Sequence, residues 1–573
     1  MDDDTNSSDR AGRTRRSVLR GAGGATTAGA LSVLDGRDLA TSVVPESRQA
    51  TDVAGDQSAS VFPNAVASGG PTDSGALLWT RIAPDAYDEH RPLGVEVAPT
   101  ETFDTPVYRG QVSADRFGPS TDHTVTVDLD GELDADERYH YRFVYDGTAS
   151  PTGRCRTLPT PGESVDDLRL AVMTCQDYQN GYYGAYSHVA DEPVDFVVHL
   201  GDFIYESADG QYKAPGAPTY EGRELSLPSG NDLPYTLADF RYLHRTYRSD
   251  RFLQAAMREH TFIVGWDDHE VANNRYWDYE ADAPGLPPYP AGDDPEFTTR
   301  LTADAIQAWV EYLPARVEYD PDAADLQEAF QLRRAFEFGD LATVVRTDER
   351  LFRNPPPETG NGDDPDRTML GADQRRWLLD SLADTETTWS VWANEVLTMP
   401  FSVGDTGEDV YLNEDAWDGF RAEREFVMGE LARRGVENFV TLTGDLHSYI
   451  AGYQLQEYGL DGESLLDSDN KVGVKLMTPA VTSVNLAEIA QASETLSQNE
   501  ITETAVPSQN PHIEFFNSSD WGYSVVEFAA DGAEYTAYSV DKTVDSPDAT
   551  KTLVKSLRVP EGRVEIQETD VDV

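Results

Sequence analysis

Val264-Gly265-Trp266-Asp267-Asp268-His269-Glu270 converts a short apolar run into a packet of carboxylates and one imidazole. Two other stretches of the 573-residue chain do the same. Gly201-Asp202-Phe203-Ile204-Tyr205 follows an apolar run at 196–200, and Gly444-Asp445-Leu446-His447 follows another at 439–442. A fourth run, 168–174, ends in Cys175. Each has the length and β-branched content of a buried strand, so the polar residues fall just beyond strand carboxyl ends. Open α/β sheets place their ligand sites there. Asp, His, Tyr and Cys gathered at one such edge make a metal cage.

Outward from these motifs the pattern is strands alternating with helices. Helical spacing covers 182–190, 236–257, 302–312, 371–382 and 415–434, and further strands are expected at 341–345, 389–393, 523–528 and 535–540. The class is α/β. Ahead of Pro159-Thr160-Pro161-Gly162 the reading differs. Runs at 76–79, 94–97, 124–127 and 138–144, split by Pro, Gly and Asp, predict a small β-sandwich. Tyr139, Tyr141, Phe143 and Tyr145 lie on one face of its last long strand and read as core, with an exposed carbohydrate-binding surface as the rival. The expected boundaries are 1–58 for a signal and linker, 59–160 for the β-sandwich, 165–545 for the α/β domain and 546–573 for an acidic tail, loose at its end.

Thr14-Arg15-Arg16-Ser17-Val18-Leu19-Arg20, followed by the weakly apolar 21–34, has the form of a twin-arginine export signal. No stretch reaches the roughly 18 to 20 apolar residues of a membrane span. The expectation is a secreted, extracellular monomer that meets the twin-arginine translocon during export. A formal net charge of −58 is spread among apolar and aromatic residues, which predicts a folded protein with an acidic surface. Concentrated salt screens such self-repulsion, so a high-salt organism is the expected source. The same field argues against nucleic acid as a stable partner, since that needs basic footprints.

The site residues divide by chemistry. A buried Asp202 needs a cation or several donors, and Tyr205, three residues on, returns toward it if the chain turns helically. Thiolate from Cys175 and phenolate from Tyr205 suit a transition-metal ion such as Fe(III) better than Mg2+. Asp268 and His269 fit a ligand beside a proton donor, while Asp267 and Glu270 read as supporting hydrogen bonds or a helix cap. Asp445 and His447, two apart, point the same way from extended backbone. His199 is expected in the core. A Cys155–Cys175 disulfide is the rival for Cys175 in an exported protein, but its strand-end place favours a ligand.

Met173-Thr174-Cys175-Gln176, Gly201-Asp202-Phe203-Ile204-Tyr205-Glu206, Trp266-Asp267-Asp268-His269-Glu270 with Asn273-Asn274, and Thr443-Gly444-Asp445-Leu446-His447-Ser448 together resemble the PhoD family of alkaline phosphatases and phosphodiesterases. The likeness runs in consistent order from about 61 to 540, and the acidity gives it a haloarchaeal cast. It implies a calcineurin-like metallophosphoesterase core, an α/β sandwich of mixed sheets. It also implies Fe3+ near Cys175, Asp202, Tyr205 and His447, with Ca2+ beside it on Asp268 and Asp445 and Asp202 as the bridge. Asn394-Glu395 departs from the family's Asn-Gln, and Asp348-Glu349-Arg350 from its Asp-Thr-Arg. Glu395 then reads as an extra calcium ligand or a change in substrate choice.

The expected activity is hydrolysis of phosphate esters by direct attack of a metal-bound hydroxide, with His269 helping the leaving alkoxide depart. Arg350 reads either as a phosphate contact or as a structural salt bridge. A phosphodiesterase or phospholipase D-like enzyme on the same scaffold is the near alternative. A catalytically silent, calcium-stabilised secreted binding protein is the distant one.

Overall fold

Leu168, Leu170 and Val172 alternate with Ala171 and Met173 along the strand Asp167–Met173, and the period of two sorts them into different cores. The first set meets Val198 and Ile263 of its own sheet and Val344, Val391, Val440 and Val474 of a facing sheet. The second set meets Tyr186, Phe240, Leu253 and Trp309 on the helices Gly184–Asp191, Leu237–Tyr247, Arg251–Glu259 and Pro295–Tyr312. On the far side, Val345, Trp392 and Phe439 pack against Leu378 and Leu382 of Gly371–Ala383 and Val427 and Leu431 of Arg421–Arg434. The layers run helix, sheet, sheet, helix. This computed structural model describes residues 33–39, 55–277, 285–357, 361–402, 413–460, 462–492 and 506–569.

Among the described residues the first sheet has eleven strands and the second seven. In the first, Asp167–Met173, Phe196–His199 and Thr261–Val264 run parallel. In the second, Ala342–Arg346, Trp389–Asn394, Phe439–Thr443 and Lys471–Met477 run parallel. Antiparallel strands flank both sets, so the sheets are mixed as expected. The loops after the parallel strands carry Cys175, Asp202, Asp268, Asp348, Glu395 and Asp445.

Strands ahead of residue 160 divide between two sheets. Val66–Thr72 pairs parallel with Thr261–Val264, which brings Gly75–Arg81 and Thr124–Asp128 onto the edge of the eleven-stranded sheet. Leu93–Ala98, Tyr108–Val112, Arg138–Tyr145, Thr148–Ala149 and Gly153–Arg156 form a separate five-stranded sheet packed on those three. Tyr139, Tyr141, Phe143 and Tyr145 are all buried in this sandwich. The aromatic ladder is core.

Three expectations need revision or a limit. The helix expected over 236–257 is two helices, because Asp250 accepts from the amides of Phe252 and Leu253 and starts Arg251–Glu259 afresh. The acidic tail, expected to be loose at its end, holds the ten-residue strand Lys551–Pro560, paired along Gly532–Val540 with Leu557 and Val559 buried, and its end at 570–573 lies outside the described residues. The twin-arginine motif lies outside the described residues, although Leu34 and Asp35, inside the stretch read as signal and linker, pair with Val127 and Asp128. Among the described residues no helix is long and apolar enough to cross a membrane.

Candidate metal centre

Backbone geometry announces the site before any side chain is considered. Cys175, Asp202, Asp445 and His447 have φ of 54°, 55°, 67° and 55°, in the left-handed region that non-glycine residues avoid. Each such residue costs on the order of 1–3 kcal/mol and persists only where its surroundings hold it. Two glycines let the loops close up. A Cβ on Gly201, at φ 126°, would lie 2.6 Å from Asp267 Cβ, and one on Gly444 would lie 2.5 Å from Thr174 Oγ1. Glu270 locks the loops together by accepting from the amides of Asp202 (3.1 Å), Phe203 (2.6 Å) and Asp267 (2.6 Å).

Among the described residues these constraints produce three linked groups of candidate ligand atoms. Cys175, Asp202 and His447 form one, Asp202, Asp268 and His269 a second, and Asp267, Asp268 and Asp445 a third, with the atoms of each within 4.8 Å of one another. Asp202 and Asp268 are each shared by two groups. Tyr205 joins the first, its hydroxyl 2.8 Å from Asp202 Oδ2 and 3.1 Å from His447 Nε2. His447 Nδ1 faces the carbonyl of Val484, which can only accept, so Nδ1 carries the proton and Nε2 is left for a metal.

The electrostatics also favour cations. Burial, then nearby carboxylates, pushes Asp202 well above the usual range, against the pull of His269. Burial does the same to Asp267, and raises Asp445 to about 7 against the pull of Arg350. Burial raises the Cys175 thiol too, and lowers His447 to about 4, which keeps that imidazole neutral as a ligand requires. Packed carboxylates in low dielectric cannot all ionise without positive charge among them. Two adjacent metal ions fit this donor set: the thiolate, phenol and imidazole end suits a softer ion, and the carboxylate end a harder one.

A family model described as PhoD-like phosphatase matches residues 170–537, and one described as the PhoD-like phosphatase N-terminal domain matches 47–159. The chain belongs to the PhoD-like phosphatase family. It is a phosphoric ester hydrolase. Alkaline phosphatase D of Bacillus subtilis (strain 168) is 34% identical over 472 residues, which are 80% of this chain and 74% of that protein. A solved structure titled as that of PhoD superposes with a TM-score of 0.75 at 29% identity, covering 90% of this chain and 93% of the other.

The PhoD-like site has further parts. His269 Nδ1 lies 2.7 Å from Glu206 Oε2; burial alone would lower its pKa, but Glu206, Asp268 and Asp202 hold it well above the ordinary value. Asn274 donates its amide to Asp268 Oδ2, and Asn273 donates to Glu206 Oε1. Arg350 is 2% exposed and reaches Asp267, Asp268, Asp415 and Asp445. That geometry is a buried salt-bridge hub. Glu395 is in none of the three groups of candidate ligand atoms found among the described residues, and both its carboxylate oxygens are buried without a hydrogen-bond partner. Its burial, with Glu349 and Asp348 near, raises its pKa well above normal.

Cys155 and Cys175 are both free thiols, and His199 is fully buried in its strand. The sequence reading assigned no role to Glu206, Tyr212, Asn413 or Asp415. Glu206 directly follows Tyr205, so its nearness was readable, but not its partner His269 across 63 residues. Asn413 and Asp415 reach Asp445 and Arg350 from a loop without any local motif.

Proposed function

We propose that this PhoD-like phosphatase is an exported, metal-dependent alkaline phosphatase that releases phosphate from monoesters. The observation that carries the reading is the sharing of Asp202 and Asp268 between adjacent ligand groups, because a pair of cations held by common carboxylates clamps a phosphoryl group from two sides. Fe(III) is assigned to Cys175, Asp202, Tyr205 and His447, and Ca2+ to Asp268 and Asp445 beside Asp202. When bound, these ions neutralise charge developing on the phosphoryl oxygens and make water acidic enough to supply the nucleophile. His269 stands at the edge of the shared carboxylates as the proton donor to the leaving oxygen. Arg350 holds Asp267, Asp268 and Asp445 in place and is read as a structural partner of the metal ligands, not a substrate contact. Glu395 is read as an uncharged group behind the site.

Export by the twin-arginine route accords with Arg15-Arg16 and with the absence of a spanning helix among the described residues. A division at about 160, a monomeric state and a high-salt habitat complete the reading, the last resting on the charge of −58. The test is hydrolysis of nitrophenyl phosphate and its matching diester by protein purified in molar salt with calcium, alongside elemental analysis. A higher kcat/KM for the monoester and bound iron and calcium are expected. Diester preference overturns the monoesterase reading, and bound metal without turnover of either substrate overturns the enzymatic one.

A further inference from the structure

The loop after Tyr205 contributes a carboxylate that belongs to none of the three ligand groups yet holds one ring of them. Glu206 Oε2 lies 2.7 Å from His269 Nδ1, and their side chains are 2% and 8% exposed. Glu206 Oε1 accepts from the Asn273 amide at 2.7 Å and from the Tyr212 hydroxyl. The imidazole is sandwiched as well: Tyr205 stacks on it at 4.0 Å between centroids and 29°, and Tyr212 meets it edge-on at 4.6 Å and 75°. A ring so enclosed keeps one orientation. With Nδ1 turned to Glu206, Nε2 is the nitrogen left for the side of Asp202 and Asp268.

We propose that Glu206 is a positioning residue for ester hydrolysis, its carboxylate anchored by Tyr212 and Asn273 so that His269 presents Nε2–H to the leaving oxygen. The inference rests on the reading of His269 as proton donor. In the step itself, an oxygen from water, its proton released to solvent, forms the new bond to phosphorus while the bond from phosphorus to the leaving oxygen breaks. The electron pair departs on that oxygen, which takes the proton from Nε2. The imidazole regains a proton from solvent. A bystander carboxylate would need no such aim. Glu206 instead spends one oxygen on the ring and the other on two donors, which a glutamine cannot reproduce because its amide N–H would oppose one set.

A proton donor matters in proportion to how poor the leaving group is, so the test compares an alkyl phosphate with nitrophenyl phosphate. Metal-loaded wild type, Glu206→Gln, Tyr212→Phe, His269→Ala and the Glu206→Gln/His269→Ala double variant are assayed, with iron and calcium measured in each. Glu206→Gln is expected to lower kcat for the alkyl ester by about 10- to 100-fold with KM unchanged and to spare the nitrophenyl ester, because orienting partners of site histidines act on that scale. His269→Ala is expected to lose about 10²- to 10⁴-fold on the alkyl ester. The double variant should be no worse than His269→Ala alone, and Tyr212→Phe should show the Glu206→Gln pattern more weakly.

Equal loss on both esters in Glu206→Gln, or additive losses in the double variant, overturns the positioning role while leaving His269 as donor. Equal loss on both esters in His269→Ala, or loss of metal there, overturns the donor reading and the inference with it. If Glu206→Gln does not fold, Tyr212→Phe decides: a loss that ignores the leaving group overturns the proposal.

Discussion

Stripping the metals should make this protein alkali-sensitive, and the structure sets the size of the effect. In the metal-free chain burial raises Asp445 from 3.8 to about 7 and Glu270 from 4.5 to about 8. A carboxyl whose folded pKa lies above its unfolded value holds a proton in the native state that the unfolded chain has released. Stability therefore falls as pH rises through that interval and levels off above the folded pKa. At about 1.4 kcal/mol per pH unit per group, the loss between roughly pH 6 and pH 9 is about 4 kcal/mol. The Asp445 side chain is 17% exposed, and solvent screening of its share brings this to about 3 kcal/mol. For a chain of this size that is about 3 °C in Tm. Asp202 and Asp267, raised by the same burial, lean in the same direction. Bound cations keep these carboxylates ionised and remove the proton linkage. The assay is calorimetric unfolding in molar KCl, with and without chelator, across that range. The gap in Tm between loaded and stripped protein should widen toward alkaline pH. A gap that stays constant or narrows would refute the argument that the buried carboxylates need cations.

Asp202→Asn should reduce kcat by about three orders of magnitude, roughly 4 kcal/mol of barrier, with loss of bound metal; near-normal activity would remove its bridging role. Cys175→Ser should lower iron content far more than calcium content, as elemental analysis would show, because the thiolate belongs to only one of the ligand groups. Glu270→Gln should destabilise the fold by about 2–4 kcal/mol in urea titration, since its carboxylate serves three buried amides and an amide N–H would oppose at least one of them. Dialysis out of molar salt should lower the unfolding midpoint progressively, given the net charge of −58; a salt-independent midpoint contradicts the halophilic reading.

Local chemistry fixed much in advance. Runs such as Phe262-Ile263-Val264 read as strands from their own composition, but the backbone at Asp445 and His447 did not follow: expected to be extended, both residues take a left-handed φ. The four motifs contain every residue of the three groups of candidate ligand atoms, and their order along the chain pointed to the family. Only the tertiary structure decided which motifs share ligands. Asp202 and His447 are 245 positions apart, and their meeting depends on two sheets packing face to face. The four carboxylates around Arg350 come from separate stretches of chain, so their convergence was not legible locally, nor was the burial that leaves both Glu395 oxygens without a hydrogen-bond partner. Sequence specifies what each residue can do over a few neighbours, where strand period and turn chemistry act. Which groups lose water together, and so which charges must be paired or metal-bound, is a property of the packed chain.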